Sequence, residues 1–243
     1  MKHQYVGDIN DYRKYALLRA LSAGGANRIG VCWMLTSDDG GADGGKLAYL
    51  GQPERFRHFD PGLFDILAHA ASEPDRRRLQ TIEDSGAIPG AAYYNETLPQ
   101  AVPERAAYMA KCRTKFADAD LVFFDPDNGI EAVTAKPGRK AALKYVFLDE
   151  VAAVYGSAKS VLIYQDFPMM KPRPQFVADT VARLRATTAD AAIFTFTTAH
   201  VVFLLLVHPE SPARLAVAAM EACQSLDPTF VRGEYVNRPA LAA

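Results

Sequence analysis

Leu121-Val122-Phe123-Phe124-Asp125-Pro126-Asp127-Asn128-Gly129-Ile130-Glu131 decides how the rest of the chain reads. The apolar run Leu121 to Phe124 predicts a buried strand. A carboxylate ends it. Proline, two short polar residues and glycine then predict a turn. In open α/β sheets, ligands bind in the crevice beyond the carboxyl ends of the strands. Asp125, Asp127, Asn128 and Glu131 would stand at that crevice, more unsatisfied charge than a structural loop needs. The plainer alternative is that Asp127 and Asn128 only cap an Asx-type turn.

Similar runs lie on either side. Ile29 to Leu35 predicts a buried strand before the central one, and Ser160 to Tyr164 predicts another after it. The second ends in Gln165-Asp166-Phe167-Pro168. Its polar end shares a sheet edge with Asp125 if the strands are parallel, which makes Gln165 and Asp166 candidate substrate contacts. Ala191 to Phe196 and Val201 to Val207 predict two further strands. Only Thr197 to His200 joins them, so they pair antiparallel, because a parallel crossover takes a dozen residues or more.

Helical spacing fills the gaps. Asp8 to Asp11 offers N-cap residues for a helix carrying Tyr12, Tyr15, Ala16, Leu18 and Leu21, and Gly24-Gly25 stops it. Asp60-Pro61, Pro103, Asp149-Glu150 and Ser211-Pro212 mark later helix starts, and Phe176, Val177, Thr180, Val181 and Leu184 form a helical stripe. The residues after Leu226 read as a loose return segment. The expected fold is α/β: a mostly parallel open sheet with helices on both faces and an antiparallel C-terminal hairpin, Rossmann-like. One domain spans 1–243, with a helical insertion at about 55–90.

The totals bound the function. The chain has 27 basic and 28 acidic residues and a net charge of −1, which argues against a chain-wide electrostatic grip on nucleic acid. A local basic patch stays open, and Arg76-Arg77-Arg78 reads either as a solvated face or as a phosphate contact. Cys32, Cys112 and Cys223 are far apart and show no metal-ligand spacing. No leader pattern opens the sequence, and the apolar run Val201 to Val207 is too short to span a bilayer. The expectation is a soluble cytoplasmic protein with no membrane contact. The stretch Thr36 to Lys46, with Asp38, Asp39 and Asp43 among four glycines and other small residues, could cradle a cofactor, wrap a metal or lie free on the surface. It lacks the dinucleotide-binding glycine spacing.

The order of these motifs resembles the RlmJ-like ribosomal RNA adenine methyltransferase family. Gly7-Asp8-Ile9-Asn10-Asp11-Tyr12-Arg13-Lys14-Tyr15 is similar to that family's Gly-Asn-x-x-Asp-Val-x-Lys-His. Trp33-Met34-Leu35-Thr36 and the loop after it fall where the family has its first strand and cofactor loop. Lys46-Leu47-Ala48-Tyr49-Leu50 resembles Gly-Glu-Tyr-Leu, and Asp125-Pro126-Asp127-Asn128 stands where the family has Asp-Pro-Pro-Tyr. The closing hairpin also looks similar. The resemblance implies a class I methyltransferase-like fold and S-adenosylmethionine as cofactor. Asp11, Lys14, Asp39, Gly40 and Gly41 would bind it. Asp125 would accept a hydrogen bond from the target amine and Pro126 would offer its carbonyl, with Asp127 and Asn128 completing the catalytic turn. The substrate would be an adenine amine in nucleic acid, RNA ahead of DNA, flipped out of any duplex. Apart from the resemblance, the residues themselves make Tyr5 a candidate to stack on an adenine ring and Gln165 and Asp166, at a strand end, candidate substrate contacts.

Two other readings stand beside it. Asp125, Asp127 and Glu131 could hold Mg or Mn for hydrolysis of a phosphodiester or nucleotide, since carboxylates without a histidine pair suit hard cations. A non-catalytic binding protein could also keep this fold.

Overall fold

The computed structural model describes residues 1–38, 40–41 and 44–236. Among them nine strands form: β1 (Ile29–Cys32), β2 (Ala92–Tyr94), β3 (Leu121–Phe124), β4 (Gly129–Ile130), β5 (Tyr145–Val146), β6 (Ser160–Asp166), β7 (Ala192–Thr197), β8 (Val201–Val207) and β9 (Arg232–Val236). β4 and β5 pair with each other. The other strands make one sheet in the order β2-β1-β3-β6-β8-β7-β9. β2, β1, β3 and β6 run parallel. β8 is antiparallel to both β6 and β7, and β9 is antiparallel to β7.

The helices are α1 (Ile9–Ser22), α2 (Pro53–Phe56), α3 (Pro61–Ala71), α4 (Leu79–Asp84), α5 (Val102–Lys115), α6 (Leu148–Tyr155), α7 (Arg173–Thr187) and α8 (Ala213–Ser225). The strands alternate with period two, so each feeds two cores. Val31, Leu121, Phe123, Leu162, Phe203 and Leu205 pack under α1, α3, α4 and α8. Cys32, Val122, Phe124, Val161, Ile163 and Leu204 pack against α5, α6 and α7. A sheet covered on both faces needs apolar residues at every position, and the unbroken runs of β3 and β8 supply them. No helix among the described residues is long and apolar enough to cross a membrane.

The helical stretch expected at about 55–90 is the crossover from β1 to the parallel β2, and carries α2, α3 and α4. Two α1 side chains fasten it. The Tyr12 hydroxyl lies 3.0 and 3.1 Å from the carbonyls of Phe56 and Asp60, and accepts from the Asp60 amide. Arg19 pairs with Asp60 at 2.7 Å and donates to the Ala87 carbonyl.

One expectation fails. The tail is not a loose return segment: Arg232–Val236 adds β9 to the sheet edge. Its side chains alternate weakly and three of the five are exposed. The backbone ladder to β7, rather than apolar burial, makes it a strand.

Sheet order also fixes where a ligand can sit. From β1 the chain goes one way to β2 and the other way to β3, so the switch point lies between β1 and β3. The crevice opens at their carboxyl ends. β1 and β3 are in register from Ile29–Leu121 to Cys32–Phe124, and the Asp125 amide still donates to the Cys32 carbonyl. Asp125 is therefore the first residue past the sheet at the crevice.

Candidate functional site

A cavity of about 270 Å³ lies at this switch point, on the α1 side. Helix α1 contributes one wall. Asp8 caps it, its Oδ1 accepting from the Asn10 amide at 2.9 Å and its Oδ2 from the Lys46 amide at 3.1 Å. The cap thus holds the helix start and residues 44–46 together. One turn on, Asp11 and Lys14 share a face at i, i+3. Lys14 Nζ stands 2.7 Å from Asp11 Oδ1 and 2.7 Å from Asp125 Oδ2. All three side chains are buried. The ammonium also lies 5.1 Å from the Tyr15 ring centre, 5.7 Å from Trp33 and 5.9 Å from Tyr164, an aromatic collar suited to a cation.

Burial and charge work against each other here. Burial pushes the Asp11 carboxyl up to about 6, with Lys14 holding it down and Asp125 and Asp8 adding to the rise. Burial would depress the Lys14 ammonium, but the two carboxylates more than offset it and its pKa is raised. Lys14 therefore stays charged as the centre of a buried carboxylate–ammonium–carboxylate triad.

The turn after β3 supplies the floor. Asp127 Oδ1 stands 2.7 Å from the Met1 ammonium, which also donates to the Asp125 carbonyl at 3.0 Å. Asp127 Oδ2 accepts from the Thr36 hydroxyl at 3.2 Å, with Lys2 Nζ 3.8 Å away. Asn128 donates to the Tyr145 hydroxyl, and its amide donates to the Lys144 carbonyl. β6 closes the far side with Tyr164 and Asp166, whose side chains share a strand face at i, i+2. The Tyr164 hydroxyl donates to Asp166 Oδ1 at 2.9 Å. Burial pushes the Asp166 carboxyl up to about 6, opposed by the Tyr164 hydrogen bond and by Lys46.

Several sequence expectations meet in this one place. Asp11, Lys14, Asp125, Pro126, Asp127, Asn128, Tyr5 and Asp166 all line the cavity. Others do not. Gln165 does not line the cavity: its Oε1 accepts from the Ile130 amide, and its Nε2 donates to the carbonyls of Asn128 and Asp166. It latches β4 to β6. A Cβ on Gly129 would fall 2.4 Å from that amide, so the latch requires glycine there. Gly40 and Gly41 are exposed and away from the cavity wall, which Gly44, Gly45 and Lys46 form instead. Asp39 lies outside the described residues.

Asp125, Asp127 and Glu131 do not converge as metal ligands. Lys14 holds the first and cations hold the second. Glu131 turns away, its Oε1 accepting from the Leu148 amide at the start of α6. Among the described residues no three His, Cys, Asp or Glu side chains are placed to hold a metal ion. The arginine run also resolves. Arg77 donates to the carbonyls of Val6, Gln4 and Gly44, clamping the segment that carries Tyr5. Arg76 and Arg78 pair with Glu73 and Asp75 at the surface.

Sequence reasoning passed over Asn10, Lys144 and Tyr164. Tyr164 had a usable signal: it stands two residues before Asp166, hence on the same strand face. Comparison with models of known protein families gives no match for this chain, and neither does comparison with curated proteins.

Proposed function

We propose that this chain is an S-adenosylmethionine-dependent methyltransferase-like enzyme acting on an adenine amine in nucleic acid, RNA ahead of DNA. The observation that carries it is convergence. Asp11 and Lys14 of α1, the Asp125–Asn128 turn and Asp166 of β6 line one cavity at the sheet's switch point. Sheet order supports it too, since β8 inserted antiparallel beside β6 is the arrangement of class I methyltransferases. The wall chemistry suits the cofactor. Among the described residues Asn10 Oδ1 is buried with no hydrogen-bond partner, and Asp8, Asp11 and Asp166 make the wall acceptor-rich. Such a wall fits a ligand carrying a sulfonium and an ammonium, with Lys46 placed for its carboxylate.

When bound, the cofactor supplies the transferable methyl. The chain's own contribution is positioning. Lys14 fixes the Asp125 carboxylate, and with it the turn through Pro126 to Asn128 against which the amine would lie. The aromatic rings of Tyr5 and Tyr164 offer flat surface to a flipped base.

The test is calorimetry with S-adenosylmethionine and its demethylated product, followed by transfer of isotope-labelled methyl to RNA and DNA. Heat of binding that Lys14→Met removes, with label appearing in adenine, is the expected result. No heat at millimolar cofactor and no label in either nucleic acid would overturn the reading.

A further inference from the structure

Among the described residues five carboxylates line the cavity, and four are already committed. Asp8 accepts from two backbone amides. Asp11 and Asp125 share the Lys14 ammonium. Asp127 holds the Met1 ammonium and the Thr36 hydroxyl. Asp166 differs. Among the described residues its one side-chain hydrogen-bond partner is the neutral Tyr164 hydroxyl, and no cation stands within ion-pairing distance of it. A carboxylate with both oxygens taken, as Asp11's are by Lys14 and the Gly7 amide, takes a proton only by giving up one of those bonds. One held by a phenol on a single oxygen keeps the other free.

We propose that Asp166 is the catalytic proton acceptor of this cavity, taking the proton that the target amine sheds on methylation, with Tyr164 as its positioning residue. This rests on the methyl-transfer reading above. As the amine nitrogen bonds to the methyl carbon, the carbon–sulfur bond of the sulfonium donor breaks and its electron pair stays on sulfur. The nitrogen is left with a positive charge and an extra proton. That proton passes to the free oxygen of Asp166 and then to water, so the methylated amine leaves neutral. The committed carboxylates give no comparable route without undoing the helix cap at Asp8, the triad at Lys14 or the Met1 contact of Asp127.

The electrostatic surroundings agree with the role. Tyr164 on β6, Lys46 on the 44–46 segment, and Asp125 and Asp127 beyond β3 all face Asp166. His200 lies alongside, its carbonyl accepting from the Phe167 amide. Burial places the carboxyl at about 6, so it is ionised at neutral pH yet basic enough to accept a proton.

The experiment follows two quantities in the full chain. One is the Asp166 carboxyl titration by carbon NMR, assigned with Asp166→Asn. The other is the pH profile of single-turnover methyl transfer to an adenine-containing RNA, beside the affinity for the demethylated cofactor. The expected result is a rate rising with pH through about 6. At saturating cofactor, Asp166→Asn loses that limb and roughly a hundredfold or more in rate. Tyr164→Phe removes the hydrogen bond that favours the ionised form, so both the titration and the limb move to higher pH. An Asp166→Asn profile that keeps the limb, or a Tyr164→Phe limb that does not move with the NMR titration, overturns the proposal and leaves methyl transfer standing. A wild-type protein that transfers no methyl fails the functional reading itself, and the proposal with it.

Discussion

Lys14 holds two buried carboxylates at once, and removing it leaves both without a cation. Lys14→Met should therefore cost about 3–5 kcal/mol of unfolding free energy, measured by urea titration. Asp11→Asn and Asp125→Asn together with Lys14→Met should recover much of that loss. The raised carboxyls set a pH dependence of unusual sign. Asp11 and Asp166 each rise from 3.8 to about 6, so the folded chain binds more protons than the unfolded one in that interval. Their contributions favour folding below the unfolded value and weaken it as pH climbs through about 6. Asp166→Asn should accordingly gain stability over wild type at pH 7, by at most about 3 kcal/mol, and lose that gain at pH 4. Thermal melts at the two pH values check it. Asp125 was legible from the sequence because a strand end followed by a turn leaves a local mark, whereas Asp11 and Lys14 entered only through the family resemblance. The role of Gln165 was not legible. Nothing local distinguishes an amide reaching into a crevice from one bonding the neighbouring backbone.

Two elements depend on close fits. Gly30 in β1 faces the Phe116 ring, and a Cβ there would come within 2.5 Å of it. Gly30→Ala should destabilise by about 1–3 kcal/mol, and pairing it with Phe116→Leu should restore part of the loss, a coupling read from a double-mutant cycle. Arg105 in α5 is the second case. It bonds both oxygens of Glu150, at 2.6 and 2.9 Å, and the carbonyls of Ala142 and Tyr145, and it stacks on Phe147. It thereby fastens the 129–147 segment beside the site. Arg105→Ala should cost about 3–5 kcal/mol, and hydrogen exchange should rise first across that segment. Long buried strands were readable as apolar runs. β9 was not, because an edge strand that gains mostly ladder hydrogen bonds carries little side-chain pattern.

For the whole molecule, the two-sided sheet and the terminal hairpin were legible because unbroken apolar strands between amphipathic helices admit few layerings. The strand order was not, since periodicity says nothing about which neighbour a strand takes. A ligand that engages the cavity should stabilise the entire domain: at a hundred times its dissociation constant, the demethylated cofactor should add about 2.7 kcal/mol, seen as a rise in melting temperature absent from Lys14→Met. The strand order carries one more consequence. β7 finishes at Thr197, yet both of its neighbours, β8 and β9, come later in the chain. On the ribosome, Ile193-Phe194-Thr195-Phe196 emerges with neither flank occupied and waits for residues up to Val236. During synthesis this greasy ribbon is the point at which a stalled or truncated product would stick to its neighbours.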